Sequence, residues 1–261
     1  MRTMGRAVLA ALVLLAAGGC AAPGASQGEL VTASDETEAR RRARIRMELA
    51  VGYFEQGKTE IALDELKQVL AIDPSMPDAY HLRGLIAMRL NNLALAEESF
   101  RRAVSINPRD ADTHHNLGWL LCQTSRHADA QRAFEVALAS PTYAGRAKTL
   151  MAQGVCQARA GQWAEAERSL ARSYELDPSN PVTGYNLANL LYRRGENERA
   201  QFYIRRLNNS EYANAESLWL GIKVERRMND MVALRQLGDQ LKKRFGTSRE
   251  ATAYERGTFD E

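Results

Sequence analysis

The chain has 261 residues, of which 45% are hydrophobic and 26% charged, a balance typical of globular proteins and unlike that of disordered or collagen-like chains. Its 35 Lys and Arg residues against 32 Asp and Glu residues give a net charge of +3, which does not indicate the basic surface of a nucleic-acid-binding protein. Three cysteines exclude a disulfide-dense scaffold but allow one bridge.

Residues 1–19 have the pattern of a secretory signal peptide. Basic residues precede an apolar stretch, and that stretch is too short to span a membrane as a helix. The small residues that follow, in Ala17-Gly18-Gly19-Cys20, resemble the lipobox of bacterial lipoproteins. An ordinary cleaved signal followed by an incidental cysteine is the alternative interpretation.

The lipobox resemblance implies a lipid anchor. In bacterial lipoproteins the cysteine, here Cys20, is acylated and becomes the mature N-terminus, and three acyl chains anchor it effectively permanently. Ala21, where an aspartate would favour the inner membrane, implies the periplasmic face of the outer membrane. Residues 20–42 contain Gly, Pro, Ser, Thr and acids, so we expect the lipidated N-terminus to continue as a flexible tether.

From residue 43 onwards the chain repeats itself with a period near 34 residues. Each unit carries a small residue, an alanine twelve residues later and a bulky apolar residue four after that. The small residues are Ala50, Gly84, Gly118, Gly154, Ala188 and Gly221, and the bulky ones are Leu66, Phe100, Phe134, Leu170, Ile204 and Leu237. This is the pattern of tetratricopeptide repeats, which are helix–turn–helix units.

The pattern predicts an all-α fold, a right-handed superhelix of six tetratricopeptide repeats over 43–247. Its repeats are expected at 43–76, 77–110, 111–144, 147–180, 181–214 and 214–247. Small residues let helix A and helix B of a repeat approach closely, and a left-handed residue should form the turn between them. Those turns are predicted at Gln56-Gly57, Asn91-Asn92, Gly161 and Gly195. Residues 248–261 are expected to form a C-terminal cap or tail.

Helix A positions spaced i, i+4, i+7 are expected to line a concave groove that binds a partner. The candidate groove residues are His81, Leu85, Met88, His115, Trp119, Tyr185, Asn189 and Tyr192. They predict an apolar and aromatic groove with few charges, without the Lys/Asn/Arg cluster by which chaperone-binding arrays hold a C-terminal carboxylate. The alternative is that these side chains pack between repeats; Trp119, Tyr185 and Tyr192 are the stronger candidates for partner contact.

No metal, cofactor or enzymatic activity is predicted. His114 and His115 are adjacent and therefore lie about 100° apart on a helix, which is poor geometry for a shared metal. The sequence also offers no nucleophile with a base at a suitable spacing and no phosphate-binding glycine loop.

Cys122 and Cys156 fall late in the A helices of repeats three and four. Successive A helices are neighbours, so a disulfide is geometrically possible if the Cα atoms lie within roughly 7 Å. A secreted protein would keep such a bridge oxidised. Two free, buried thiols are the alternative.

Four short motifs resemble those of the type IV pilus biogenesis lipoproteins, the pilotins of the PilF/PilW type. They lie at 116–122, 154–156, 217–222 and 245–248. The resemblance implies an outer-membrane lipoprotein that binds the type IV pilus secretin through its groove and helps the secretin reach that membrane and multimerise. It also implies the Cys122–Cys156 bridge, which members of the family carry. The alternatives are a general periplasmic adaptor that recruits cell-wall enzymes and a self-assembling structural lipoprotein.

Overall fold

The computed structural model describes residues 37–259, and this part of the chain is built of thirteen α-helices without a strand. The helices are α1 (Glu38–Glu55), α2 (Thr59–Ile72), α3 (Pro77–Arg89), α4 (Leu93–Ile106), α5 (Ala111–Gln123), α6 (His127–Ala139), α7 (Arg146–Arg159), α8 (Trp163–Leu176), α9 (Pro181–Arg193), α10 (Asn197–Asn208), α11 (Ala215–Arg227), α12 (Met231–Phe245) and α13 (Arg249–Arg256).

Consecutive helices pair as helix A and helix B of six repeats, from α1 with α2 to α11 with α12, and α13 follows the last pair. The predicted all-α superhelix of repeats is therefore confirmed. Helix α1 begins at Glu38, so 38–42 belong to the first repeat and not to the predicted tether. Alanine and arginine, which fill most of these positions, are strong helix formers. The signal peptide, Cys20 and the tether up to residue 36 lie outside the described residues.

Within each repeat, helix A and helix B make their closest contact where the small residue of helix A meets the bulky residue of helix B. A Cβ atom added to Gly84 would lie 2.5 Å from the ring of Phe100, and one added to Gly118 would lie 2.8 Å from the ring of Phe134. Both rings are fully buried. These positions therefore have no room for a side chain, which is the physical origin of the repeating small residue.

Every turn between helix A and helix B contains one residue with positive φ. Gly57, Gly161 and Gly195 have φ near +75° to +80°, and Asn91 has φ 57°, so the four predicted turns are confirmed. Repeats three and six use Ser125 (φ 61°) and Asn229 (φ 59°). The turn geometry is thus the same in all six repeats although the residue type changes.

The C-terminal residues form a cap on the last repeat. Tyr254 of α13 lies against Gly238 of α12, where an added Cβ would be 2.1 Å from the tyrosine ring. Ala251 is fully buried, and the ring of Phe259 stacks on that of Trp219 with centroids 5.4 Å apart. Of the two outcomes expected for this segment, the structure shows the cap.

Cys122 of α5 and Cys156 of α7 are joined by a disulfide, with their Cα atoms 5.7 Å apart. Both residues are buried in the core cluster that also contains Phe134. The bridge therefore joins helix A of repeat three to helix A of repeat four at the middle of the array.

Two separate glycine-to-alanine substitutions test the close approach of helix A and helix B. Gly118→Ala should destabilise the protein by about 1–3 kcal/mol, because the new methyl group overlaps the Phe134 ring. Gly52→Ala is the matched control, because no atom lies within 4 Å of its added Cβ. It should stabilise α1 by up to about 1 kcal/mol through helix propensity. Urea unfolding of both variants measures the difference, and equal changes would contradict the steric explanation.

The disulfide is tested by mass and by stability. Protein purified without reductant should gain two hydrogens on reduction, and the Cys122→Ser/Cys156→Ser variant should lose about 3–4 kcal/mol, the entropy estimate for a loop closed across 34 residues. Complete alkylation of both thiols in the denatured protein before reduction would show that the bridge is absent.

Candidate partner-binding groove

Three neighbouring clefts lie on the A helices of repeats four to six. The first, of about 240 Å³, lies between α7 and α9, and the second, of about 270 Å³, is bounded by α9, α11 and α13. The third, of about 250 Å³, lies between the C-terminal end of α11, Tyr192 and Phe259. Asn189 lines the first and second clefts, and Lys223 lines the second and third. We call this continuous surface the helix A groove.

The side chains of the groove are both aromatic and cationic. The first cleft contains Trp163 with Arg159 and Arg193, and the second contains Tyr185 and Trp219. Such a surface can hold apolar side chains of a partner and neutralise its carboxylates, without forming or breaking a covalent bond.

Tyr185 and Asn189, two of the candidate groove residues, lie together in the second cleft. Tyr185 is half-buried, and burial raises the pKa of its hydroxyl above the ordinary value. Tyr192 borders the third cleft, where the guanidinium of Arg227 lies 3.8 Å from its ring centroid. Trp119, also predicted for the groove, lines none of the three clefts: it is partly exposed in repeat three, beneath the guanidinium of Arg159 at 5.3 Å.

His115 does not line the groove, and this corrects the prediction. Its side chain is buried between α5 and α7, with Nδ1 2.9 Å from the hydroxyl of Thr149. Burial lowers the pKa of His115 to about 4, so its ring is neutral near pH 7. The hydroxyl provides the polar partner that a buried imidazole requires, and the histidine joins repeat three to repeat four.

His81 makes the equivalent connection one repeat earlier. Its Nδ1 lies 2.7 Å from the hydroxyl of Thr113, and its Nε2 lies 3.0 Å from the amide nitrogen of Asn116. The adjacent Asp110 is 3.6 Å from the ring, and the interaction with His81 together with the hydrogen bond from Thr113 holds the pKa of Asp110 at about 2. His81 is therefore occupied by contacts between α3 and α5.

Leu85 and Met88 are partly buried and pack against the core clusters of repeats one to four. Their environment matches the alternative interpretation, in which helix A residues fill the space between neighbouring repeats. The predicted groove residues are thus divided between two places: those of repeat five lie on the clefts, and those of repeat two mostly hold repeats together.

Sequence reasoning missed the contributions of repeat six and of the helix ends. Trp219 and Lys223 stand as far beyond the N-cap residue Asn214 as Tyr185 and Asn189 stand beyond Asn180. Counting from the two asparagines would have found them.

The expectation of few charged side chains was wrong for the helix A groove. Arg159, Arg193 and Arg227 come from the last turns of A helices, beyond the i, i+4 and i+7 positions. Lys223 and Arg249 add two further cations to the second cleft.

A residue set of metal-ligand type lies beside the disulfide. Ligand atoms of Cys122, His127 and Cys156 lie within 4.8 Å of one another, and Nδ1 of His127 is 3.5 Å from the sulfur of Cys156. Metals bind cysteine as the thiolate, which the disulfide removes. With the bridge closed, the histidine serves as a polar neighbour of the sulfur.

Within residues 37–259, none of the helices is both long and apolar enough to cross a membrane. Comparison with known proteins identifies the repeats directly: the tetratricopeptide repeat family matches over 47–111 and 115–181, and a second family of the same description matches over 157–218. The type IV pilus assembly protein PilF of Pseudomonas aeruginosa is 28% identical over 94% of this chain and 96% of its own length.

Solved structures give the same assignment. The crystal structure of PilW, described as a widely conserved type IV pilus biogenesis factor, has 30% sequence identity and a TM-score of 0.76, over 81% of this chain and 97% of PilW. The structure of Pseudomonas aeruginosa PilF has 26% identity and a TM-score of 0.76, over 85% of this chain and all of that one. The chain therefore belongs to the tetratricopeptide repeat family, as a protein of the PilF/PilW type.

Proposed function

We propose that this protein is an outer-membrane lipoprotein that acts as a pilotin for the type IV pilus secretin, binding the secretin through the helix A groove and promoting its localisation and multimerisation. The observation that carries the proposal is the line of three adjoining clefts on repeats four to six. The nearly full-length similarity to PilF supports the assignment to pilus biogenesis.

The geometry suits binding of a protein segment that lies across several A helices. Tyr185, Tyr192 and Trp219 come from two successive A helices and border clefts that share lining residues. Binding energy at such surfaces concentrates in a few aromatic and arginine side chains. The packed B helices and the disulfide behind the groove hold the A helices in place, so little ordering is required when the partner binds.

The lipid anchor is a separate element of the proposal. It rests on the lipobox-like residues that end at Cys20. Cys20→Ala should release the protein into the soluble periplasm, because the acyl chains require the thiol and the new N-terminus. Membrane fractionation with a carbonate wash measures this, and a variant that stays with the outer membrane would contradict the anchor.

The groove is tested by replacing two of its aromatic residues with alanine. Tyr185→Ala in the second cleft and Tyr192→Ala in the third should each weaken secretin binding by about 2 kcal/mol or more, as expected of aromatic hot spots. The measurements are co-purification of the secretin, the yield of secretin multimers and the melting temperature of each variant.

Phe202→Ala is the control, because this ring is 61% exposed on α10 and lines none of the three clefts. It should leave secretin assembly unchanged. Folded groove variants that still assemble the secretin would show that the partner binds elsewhere on the array.

A further inference from the structure

Five cations line the C-terminal ends of three successive A helices. They are Arg159 of α7, Arg193 of α9, and Lys223, Arg226 and Arg227 of α11. Among residues 37–259 none of the five forms a salt bridge. We call this set the basic row.

Several acidic residues near the row pair with other arginines, and Glu216 and Glu250 line the second cleft with Lys223 without forming a salt bridge to it. Arg194, the neighbour of Arg193 in sequence, pairs with Glu167 and Glu196, and Arg199 pairs with the same two carboxylates. The protein is close to neutral overall. Positive charge is therefore concentrated in the basic row, while Arg194 at the C-cap of α9 and Arg199 in the first turn of α10 are paired with acids.

The positive charges of the row act on one another. Lys223 is partly buried, and burial together with the charges of Arg193 and Arg227 lowers the pKa of its ammonium group. Like charges held close without acids weaken the folded state, and such arrangements are characteristic of functional sites.

Aromatic rings alternate with the cations along the groove. Lys223 Nζ lies 5.8 Å from the ring centroid of Tyr192 and 5.6 Å from that of Trp219. The guanidinium of Arg226 lies 4.4 Å from the ring of Phe259. The cations therefore stand on the walls of the clefts, where a ligand would meet charge and apolar surface together.

We propose that the basic row binds an acidic segment of a protein partner, with carboxylates on the cations and apolar side chains in the clefts. The inference deepens the proposed function, on which it rests for the identity of the partner, since it states the chemistry that the groove selects. Opposite charge across an interface increases the association rate and fixes the register of the bound segment.

Helix capping explains only part of the row. A cation near a helix C-terminus interacts favourably with the helix dipole, and Arg89 shows that role: it donates to the carbonyl of Phe54 at 2.9 Å and lies 4.2 Å from its ring. Arg227 repeats the arrangement on Tyr192. Capping does not require three cations on one helix or a lysine held between two arginines.

The site favours a peptide over other anionic macromolecules. Single-stranded nucleic acid binds by stacking bases on free ring faces, but here Arg227 lies over Tyr192 and Phe259 stacks on Trp219. A membrane surface offers anionic headgroups but no side chains to fill the clefts.

The test uses a labelled synthetic peptide of alternating Asp and Leu and the same peptide with Asn in place of Asp. The Asp peptide should bind, with an affinity that falls as salt rises, and the Asn peptide should bind much more weakly. Arg159→Gln/Arg193→Gln/Lys223→Gln should weaken Asp-peptide binding about tenfold, the effect of three exposed ion pairs, without lowering the melting temperature.

The charge-matched control is Arg168→Gln/Arg194→Gln/Arg199→Gln, which removes three arginines already paired with acids. It should bind the Asp peptide as the unmodified protein does. Equal binding of the Asp and Asn peptides, or equal loss in both triple variants, would overturn the inference. So would tighter binding of phosphatidylglycerol vesicles or oligothymidylate that depends on the same three residues.

A secretin assay separates this inference from the proposed function. If the triple variant of the row assembles the secretin normally while Tyr185→Ala does not, the inference fails and the proposed function stands. If the unmodified protein does not bind the secretin, the proposed function fails, and the peptide measurements still decide whether the row takes an acidic segment.

Discussion

The contact between a small residue on helix A and a bulky residue on helix B determines how the array is built. Where Gly84 and Gly118 meet Phe100 and Phe134, the two helices approach until only a hydrogen atom fits between them. This close approach fixes the distance and rotation of helix B relative to helix A. Because each repeat contacts mainly its neighbours, the same local geometry repeated six times positions the A helices that carry the groove.

Sequence could predict the fold because the requirements of the repeat are local. A position that packs against a ring and a turn position with positive φ both favour glycine, as at Gly118 and Gly195, so both can be recognised in the sequence. Ser125 escaped prediction because serine has no strong preference for the left-handed region, and the turn imposes that conformation on it. The start of α1 escaped because Glu38 has no counterpart in the repeat pattern.

The groove was harder to predict, since exposure of a helix A side chain depends on the neighbouring repeat. His115 occupies the same repeat position as Tyr185, yet the histidine is buried against Thr149 and the tyrosine lines a cleft. Residue spacing does not distinguish these environments. The second cleft also requires α13, which lies outside the repeat pattern and brings Arg249 to Lys223 and Trp219.

Arginines near the start of helix B are paired with acids, whereas the cations near the end of helix A are not. This difference links the stability of the array to binding. Between helix A and helix B of repeat five, Arg194 at the C-cap of α9 and Arg199 in the first turn of α10 share Glu167 of the preceding repeat. At the end of helix A, the cations of the basic row form no salt bridge within residues 37–259, and their like charges repel. The array tolerates that repulsion because its stability comes from buried contacts within and between repeats and from the central disulfide. Charge left unpaired at the groove is then available to a partner that brings the missing carboxylates, and binding would relieve the repulsion that folding leaves in place.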